Sequence, residues 1–189
     1  VSAHGGAMTD APSVVAQYFT VDGASLSGNA GDGDYAGTYA YYNAVARQDV
    51  NVLNATIDNN DRGIEINGYA FGGASTQQNI YFAYDTVQHN TVDGVDLHVL
   101  ASGDNGFAAQ YGSIYHLDAS YNGEDGFNIG ARADEADAEQ QFYMVHVTGD
   151  HEGRDGLEVV SQSTGYTAGS YTNYPAHVQQ NIYAIYGSF

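Results

Sequence analysis

A nine-residue pattern returns four times along the chain and limits what it can fold into more than any other feature. It reads Asn-Asn-Asp-Arg-Gly-Ile-Glu-Ile-Asn at 59–67, Asn-Thr-Val-Asp-Gly-Val-Asp-Leu-His at 90–98, Asn-Gly-Glu-Asp-Gly-Phe-Asn-Ile-Gly at 122–130 and Glu-Gly-Arg-Asp-Gly-Leu-Glu-Val-Val at 152–160. Its glycines, Gly63, Gly94, Gly126 and Gly156, lie 31, 32 and 30 residues apart. Self-similarity at that period marks a solenoid, in which one unit buries its apolar face only by stacking on the next.

After each glycine the pattern is apolar, polar, apolar. Period two sends Ile64, Val95, Phe127 and Leu157 inward, together with Ile66, Leu97, Ile129 and Val159. Glu65, Asp96, Asn128 and Glu158 then form one outward column, and Asn67, His98, Gly130 and Val160 the next. Strand-like runs lead into each unit at 49–53, 78–84, 113–117 and 141–145, and Gln179-Gln180-Asn181-Ile182-Tyr183 opens a further coil. Small and acidic stretches at about 68–76, 99–109, 131–139 and 161–177 read as loops. An asparagine stands four residues before each glycine at Asn59, Asn90 and Asn122, replaced by Glu152 in the last unit; stacked amides there bond from coil to coil. Expected is an all-β, right-handed parallel β-helix over 1–189, one domain with 1–15 as an irregular lead-in. It would have about five to six coils, each about 20 residues plus a long loop on one side, spaced about 4.8 Å apart.

Composition supports strands and narrows function. Seventeen tyrosines and 24 glycines suit short strands joined by turns. Four arginines against 23 acidic residues give a net charge of −19, which excludes the cationic contacts that nucleic acid requires. No apolar run is long enough to form a membrane-spanning helix. With no cysteine there is neither a disulfide framework nor a thiolate metal site. Such acidity suits a saline extracellular setting, secreted or at the cell surface, with divalent cations offsetting part of the charge. The first residue is a valine, which points to a processed product or a fragment. Uncovered end coils would invite end-to-end or lateral self-association.

The chemistry concentrates on the outward columns. Asp96 and His98, two apart on a strand, project side by side, so the carboxylate can hold the imidazole in one tautomer as acid or base. Glu65 and Asn67 flank them one coil earlier and Asn128 one coil later. Glu65 and Asp96, about 5 Å apart on adjacent coils, either raise each other's pKa or recruit a cation, which makes them the candidate metal ligands. His116 and His146 fall at matching points of successive coils and read as surface residues. Tyr81, Tyr84, Tyr111, Tyr115, Tyr121 and Tyr143 read as core or stacking ladders, with exposed members suited to sugar rings. The single Gly28–Asp34 run reads as a loop. There is no phosphate loop, serine elbow or dinucleotide fingerprint.

These units resemble the catalytic β-helix module of secreted mannuronan C5-epimerases, the calcium-dependent enzymes that edit alginate. The likeness runs from about Phe19-Thr20-Val21-Asp22-Gly23 to Phe189. That family's catalytic coil reads Tyr-Gly-Phe-Asp-Pro-His-Glu, and Asp93-Gly94-Val95-Asp96-Leu97-His98-Val99 is similar to it. The resemblance implies Asp96 and His98 as catalytic residues, with Asp93 in place of the tyrosine, Leu97 in place of the proline and no lysine in the chain. Counted from Val21-Asp22-Gly23, the coil equally falls on Arg62–Gly68, where Glu65 and Asn67 replace Asp and His.

Two readings follow. One is an enzyme or binding module for an acidic polysaccharide, an epimerase or the related lyase. His98 is its base, Asp96 the orienter, Tyr69 or Tyr111 the opposite-face donor, and Arg62 or Ca2+ the positive charge, with Glu65, Asn67 and Asn128 in the substrate cleft. The other is a non-catalytic structural or adhesive solenoid, part of a larger surface, filament or phage-fibre protein.

Overall fold

A computed structural model describes residues 2–9, 14–164 and 176–189. The first coil contributes β1 (Ser2–Thr9), β2 (Val14–Asp22) and β3 (Ser25–Ser27). The second gives β4 (Asp34–Tyr42), β5 (Val45–Leu53) and β6 (Thr56–Asp58), and the third β7 (Ile64–Phe71), β8 (Ser75–Ala83) and β9 (Thr86–Gln88). Later coils give β10 (Val95–Ser102) with β11 (Phe107–Tyr115), β12 (Phe127–Asp134) with β13 (Asp137–Val145), and β14 (Leu157–Thr164) with β15 (His177–Ile185).

Three parallel sheets result. Sheet A runs β1-β4-β7-β10-β12-β14, sheet B β2-β5-β8-β11-β13-β15, and sheet C β3-β6-β9. Single bridges Thr86–Asp118, Asp118–Thr148 and Thr148–Ser188 carry the third side onward. The chain is therefore a parallel β-solenoid of about five turns.

The expected stacking holds residue for residue. Val95 pairs with Ile64 and Phe127, and Phe127 with Leu157, while Leu97 pairs with Ile66 and Ile129. All are buried except Leu157, which is half-buried; Val159, on the last strand of sheet A, is 44% exposed.

One expectation is corrected. The stretches taken for long loops are mostly strand, since β7, β8, β10, β11, β12, β13 and β14 run through them and the connections are short turns; residues 165–175 of the last lie outside the described residues. The whole repeat of 30–32 residues is coil. The reason lies in the corner between sheets A and B, which is lined by Ala70, Ala101, Ala133, Ala108 and Ala138. That corner admits only small side chains, so its strands lack the bulky alternation by which strands are recognised. Within the lead-in expected at 1–15, Ser2–Thr9 pairs with β4 and Val14 already belongs to β2, while residues 1 and 10–13 lie outside the described residues.

Between the alanine corner and the large apolar core stands a column without precedent in the repeat motif. Gln48, Gln78, Gln110 and Gln140 are fully buried. Each donates an amide N–H to the carbonyl of the glutamine one coil before: Gln78 to Gln48 at 2.8 Å, Gln110 to Gln78 at 2.9 Å and Gln140 to Gln110 at 2.8 Å. Gln48 reaches Gln17, and Gln180 reaches Gln140. The same amides cross the interior to sheet A, where Gln110 donates to Ile66 O and His98 O and Gln140 to Leu97 O. A buried amide without partners is costly, and here every one is supplied by its neighbours.

The corners turn through left-handed backbone. Between sheets B and C the turning residues are Gly23, Asn54, Tyr84, His116, His146 and Tyr186, with φ from 50° at His116 to 63° at Tyr84. A bulky residue there costs roughly 1–2 kcal/mol. Ring stacking offsets much of that, with centroids 5.0 Å apart for Tyr84–His116, 4.8 Å for His116–His146 and 5.0 Å for His146–Tyr186. His89, Tyr121 and His151 repeat the device at the next corner. These aromatics are an external ladder, so Tyr84 and Tyr121 stack as expected but are not core. The amide ladder beside them runs Asn29, Asn60, Asn90, Asn122; Asn59 is the left-handed turn residue and Asn60 the ladder member.

Two outcomes test this account. Gln110→Leu strands its neighbours' polar groups in the interior and should lower unfolding free energy by about 3 kcal/mol, read from urea denaturation. Burial also holds the carboxyls of Asp34 and Asp85 up at about 7 and about 6. A carboxyl raised in the fold contributes stability that is complete below its unfolded pKa and lost as pH rises through the folded value. Denaturation midpoints should therefore fall between about pH 4 and 7, and Asp34→Asn should flatten that slope.

Candidate functional site

The corner from sheet C into sheet A collects the polar residues of the repeat. Arg62, Asp93, Asp125 and Asp155 occupy one position on successive coils, because Gly63, Gly94 and Gly126 N–H donate to the carbonyls of Asp93, Asp125 and Asp155. Each side-chain carboxylate accepts from the next coil: Asp125 N–H reaches Asp93 Oδ1 at 3.1 Å and Asp155 N–H reaches Asp125 Oδ1 at 3.0 Å. Arg62 breaks this acidic column, and its guanidinium lies 3.3 Å from Asp96, 3.6 Å from Glu65 and 4.0 Å from Asp93. One cation thus offsets three carboxylates packed at coil spacing.

Around it the outward columns behave as one cluster. Asp96 pairs in register with Glu65 and Asn128, and His98 with Asn67 and Gly130. Asp96 and Asn67 are buried, so the column is not the solvated strip that its polarity suggests. His98 Nε2 lies 2.9 Å from Asp96 Oδ1 and 3.4 Å from Asn128 Oδ1. Burial alone would lower the His98 pKa, but the Asp96 contact, with Asn128 and Asp93, outweighs it and leaves the imidazole above its ordinary value. Burial, with Asp32 nearby, raises Glu65 to about 6; Asn67 donates to its carboxylate.

Beside the pair opens a cavity of about 340 Å3, walled by Tyr69, His98, Leu100, Gly130, Arg132 and Glu158. Gly130 keeps it open, since a Cβ there would sit 2.9 Å from His98 Nε2. Tyr69 stacks on Tyr39 at 4.9 Å, part of an aromatic platform that continues to Phe71. Burial, with Tyr39, Glu65 and Asp96 close by, pushes the Tyr69 phenol to about 12, so it remains protonated. Arg132 is exposed, and no carboxylate among the described residues forms an ion pair with it.

Of the residues named from sequence, Arg62, Glu65, Asn67, Asp96, His98 and Asn128 converge here, and Tyr69 joins them across the cavity. Tyr111 does not: it lies on sheet B, where its hydroxyl donates to Glu139 at 3.0 Å. Leu100, Gly130 and Arg132 were not singled out as cavity residues. Their only signal is register, since Arg132 falls in the Tyr69–Leu100 column.

The expected Ca2+ would have to share Glu65 and Asp96 with Arg62, which already lies within 3.6 Å of both. Among the described residues no three His, Asp or Glu side chains converge as metal ligands. The donor set does not fit the ion.

Compared with known proteins, the chain matches no family model, no curated protein and no solved structure. The likeness to mannuronan C5-epimerases therefore rests on the repeat motifs alone, and the architecture supports a β-solenoid. Removing the one cation of the cluster tests its electrostatics. Arg62→Gln should cost about 1–2 kcal/mol in urea denaturation, discounted for the arginine's partial exposure, and should move the His98 titration upward when followed by NMR.

Proposed function

We propose that the outer face of sheet A acts on an acidic polysaccharide in the manner of a polyuronate C5-epimerase or lyase. The supporting observation is the His98–Asp96 pair, 2.9 Å apart, at the wall of a cavity that Tyr69 and Arg132 also line.

In this reading neutral His98 carries its proton on Nε2, which faces Asn128 Oδ1 as acceptor with the Asp96 carboxylate 2.9 Å away, leaving Nδ1 as the base. His98 takes the proton from C5, and the electron pair moves into the adjoining carboxylate, forming an enediolate. Arg132 lies against that charge and binds the uronate carboxylate. In epimerisation the Tyr69 phenol returns a proton from the opposite face; in lysis the 4-oxygen substituent leaves instead and the double bond forms. Arg62 holds Asp96 and Glu65 in place and does not meet the substrate. The net charge of −19 repels a polyanion at long range, but at about 0.1 M salt that repulsion is screened beyond about 10 Å, and the local arginine decides.

A second reading, a non-catalytic adhesive solenoid, is favoured by Arg62 filling the space between Glu65 and Asp96. Proton NMR of polymannuronate incubated with the protein separates them, with Ca2+ and with chelator. Guluronate signals or unsaturated ends should appear, increasing as pH rises through the His98 titration, because only the neutral imidazole accepts a proton. His98→Ala should reduce the rate by about 100-fold or more. A spectrum unchanged by the wild type under both conditions removes the catalytic reading.

A further inference from the structure

A second concavity lies on sheet B, away from His98. Its volume is about 720 Å3. It runs along the coil stack between two outward columns, and the strand registers define both. Tyr18, Asp49, Asn79, Tyr111 and Gln141 form one wall. Asn51, Tyr81, Ser113 and Tyr143 form the other. The trough thus spans five coils, about 19 Å at coil spacing.

Its floor is Ile80 and the backbone of Gly112. Gly112 takes an inward position, where a Cβ would sit 2.5 Å from the buried Phe142 ring, and on the outer face Ser113 is small, so the middle of the trough stays shallow-walled and continuous. Tyr18, Tyr81 and Tyr143 are 78%, 41% and 44% exposed. Tyr143 stacks on Tyr183 at 5.1 Å and Tyr81 lies against Tyr115 at 5.9 Å, and each ring still keeps part of its surface open. Between them Asn51, Asn79 and Gln141 offer neutral donors and acceptors on the second, third and fifth coils.

Charge decides the class of ligand. The lining contains one carboxylate, Asp49, whose Oδ1 already accepts from Asn79 at 2.7 Å, and no cation. The Glu139 carboxylate at the rim accepts from Tyr111. Arg47 stands only at one end, beside Tyr18, Asp49 and Asn79, so along the remaining coils a uronate polymer finds no cation, in contrast to the cavity beside Arg132. A β-strand peptide finds no open edge, because each internal strand is paired on both sides.

We infer that the sheet B trough binds a neutral polysaccharide chain laid parallel to the solenoid axis. Its pyranose faces pack on Tyr81, Tyr143 and Tyr18, and its hydroxyls bond to the amide row. An extended glycan advances per sugar by close to one coil, so a single lattice of side chains serves every ring. This site is separate from the sheet A reading and stands without it.

Isothermal titration calorimetry with cellohexaose, mannohexaose, a polymannuronate hexamer and a proline-rich decapeptide tests the inference. At least one neutral hexamer should bind, the mannuronate hexamer at least 10-fold more weakly. Tyr81→Ala with Tyr143→Ala should weaken binding at least 10-fold while the far-ultraviolet circular dichroism is kept; Ser113→Tyr, which fills the trough from a half-buried position on its outward face, should do the same. His98→Ala should leave it unchanged. The inference is overturned if neither neutral hexamer binds at millimolar concentration, if the decapeptide or the mannuronate hexamer binds more tightly, or if both trough variants bind as the wild type does.

Discussion

Parallel hydrogen bonding from coil to coil places each residue directly above its counterpart in the coil before, 30–32 positions earlier through the middle of the stack and 40 earlier for β15, at a spacing of about 4.8 Å. Whatever side chain a column carries is thereby forced into contact with its own kind. Apolar columns become a continuous core, and amide columns become ladders in which each member both donates and accepts. Acidic columns are the exception. Like charges at that spacing repel, and the chain answers by giving each Asp carboxylate a backbone N–H, as at Asp93 and Asp125, or by substituting an arginine.

Arg62 is that substitution, and it explains why a site exists where it does. Placed one coil before Asp93, it neutralises Glu65, Asp96 and Asp93 together. Asp96 lies buried beside His98 and raises the imidazole's affinity for its proton. The glutamine ladder holds the same region from within, since Gln110 donates to the backbone carbonyl of His98. Positioning and protonation of one histidine thus depend on two columns, one inside the sheet and one at its edge.

The two faces available to ligands differ in chemistry for the same reason. On sheet A the column containing Tyr69 and Leu100 continues to Arg132, which leaves a cation beside an aromatic wall. On sheet B the corresponding columns hold tyrosines, amides and a small centre, without a cation. Charge selection between them follows from single residues in otherwise repetitive columns.

The spacing of Gly63, Gly94, Gly126 and Gly156 and the alternation after each determined the solenoid, the inward set from Ile64 to Leu157 and the neighbouring of Asp96 with His98. Those are consequences of period alone, and period is visible in letters. The alanine strands at the corner of sheets A and B were not legible, because small residues signal a loop unless the corner's width is known. Nor was the shift from Asn59 to Asn60, since one residue fewer between the ladder asparagine and the glycine changes the register without changing the motif. Only the folded chain decided that Tyr111 and Tyr69 lie on different faces, that Arg62 is engaged by carboxylates while Arg132 is open, and that six glutamines form one column. Those facts depend on which columns the corners bring together, and corner geometry is set by packing across the interior, which no repeat unit carries by itself.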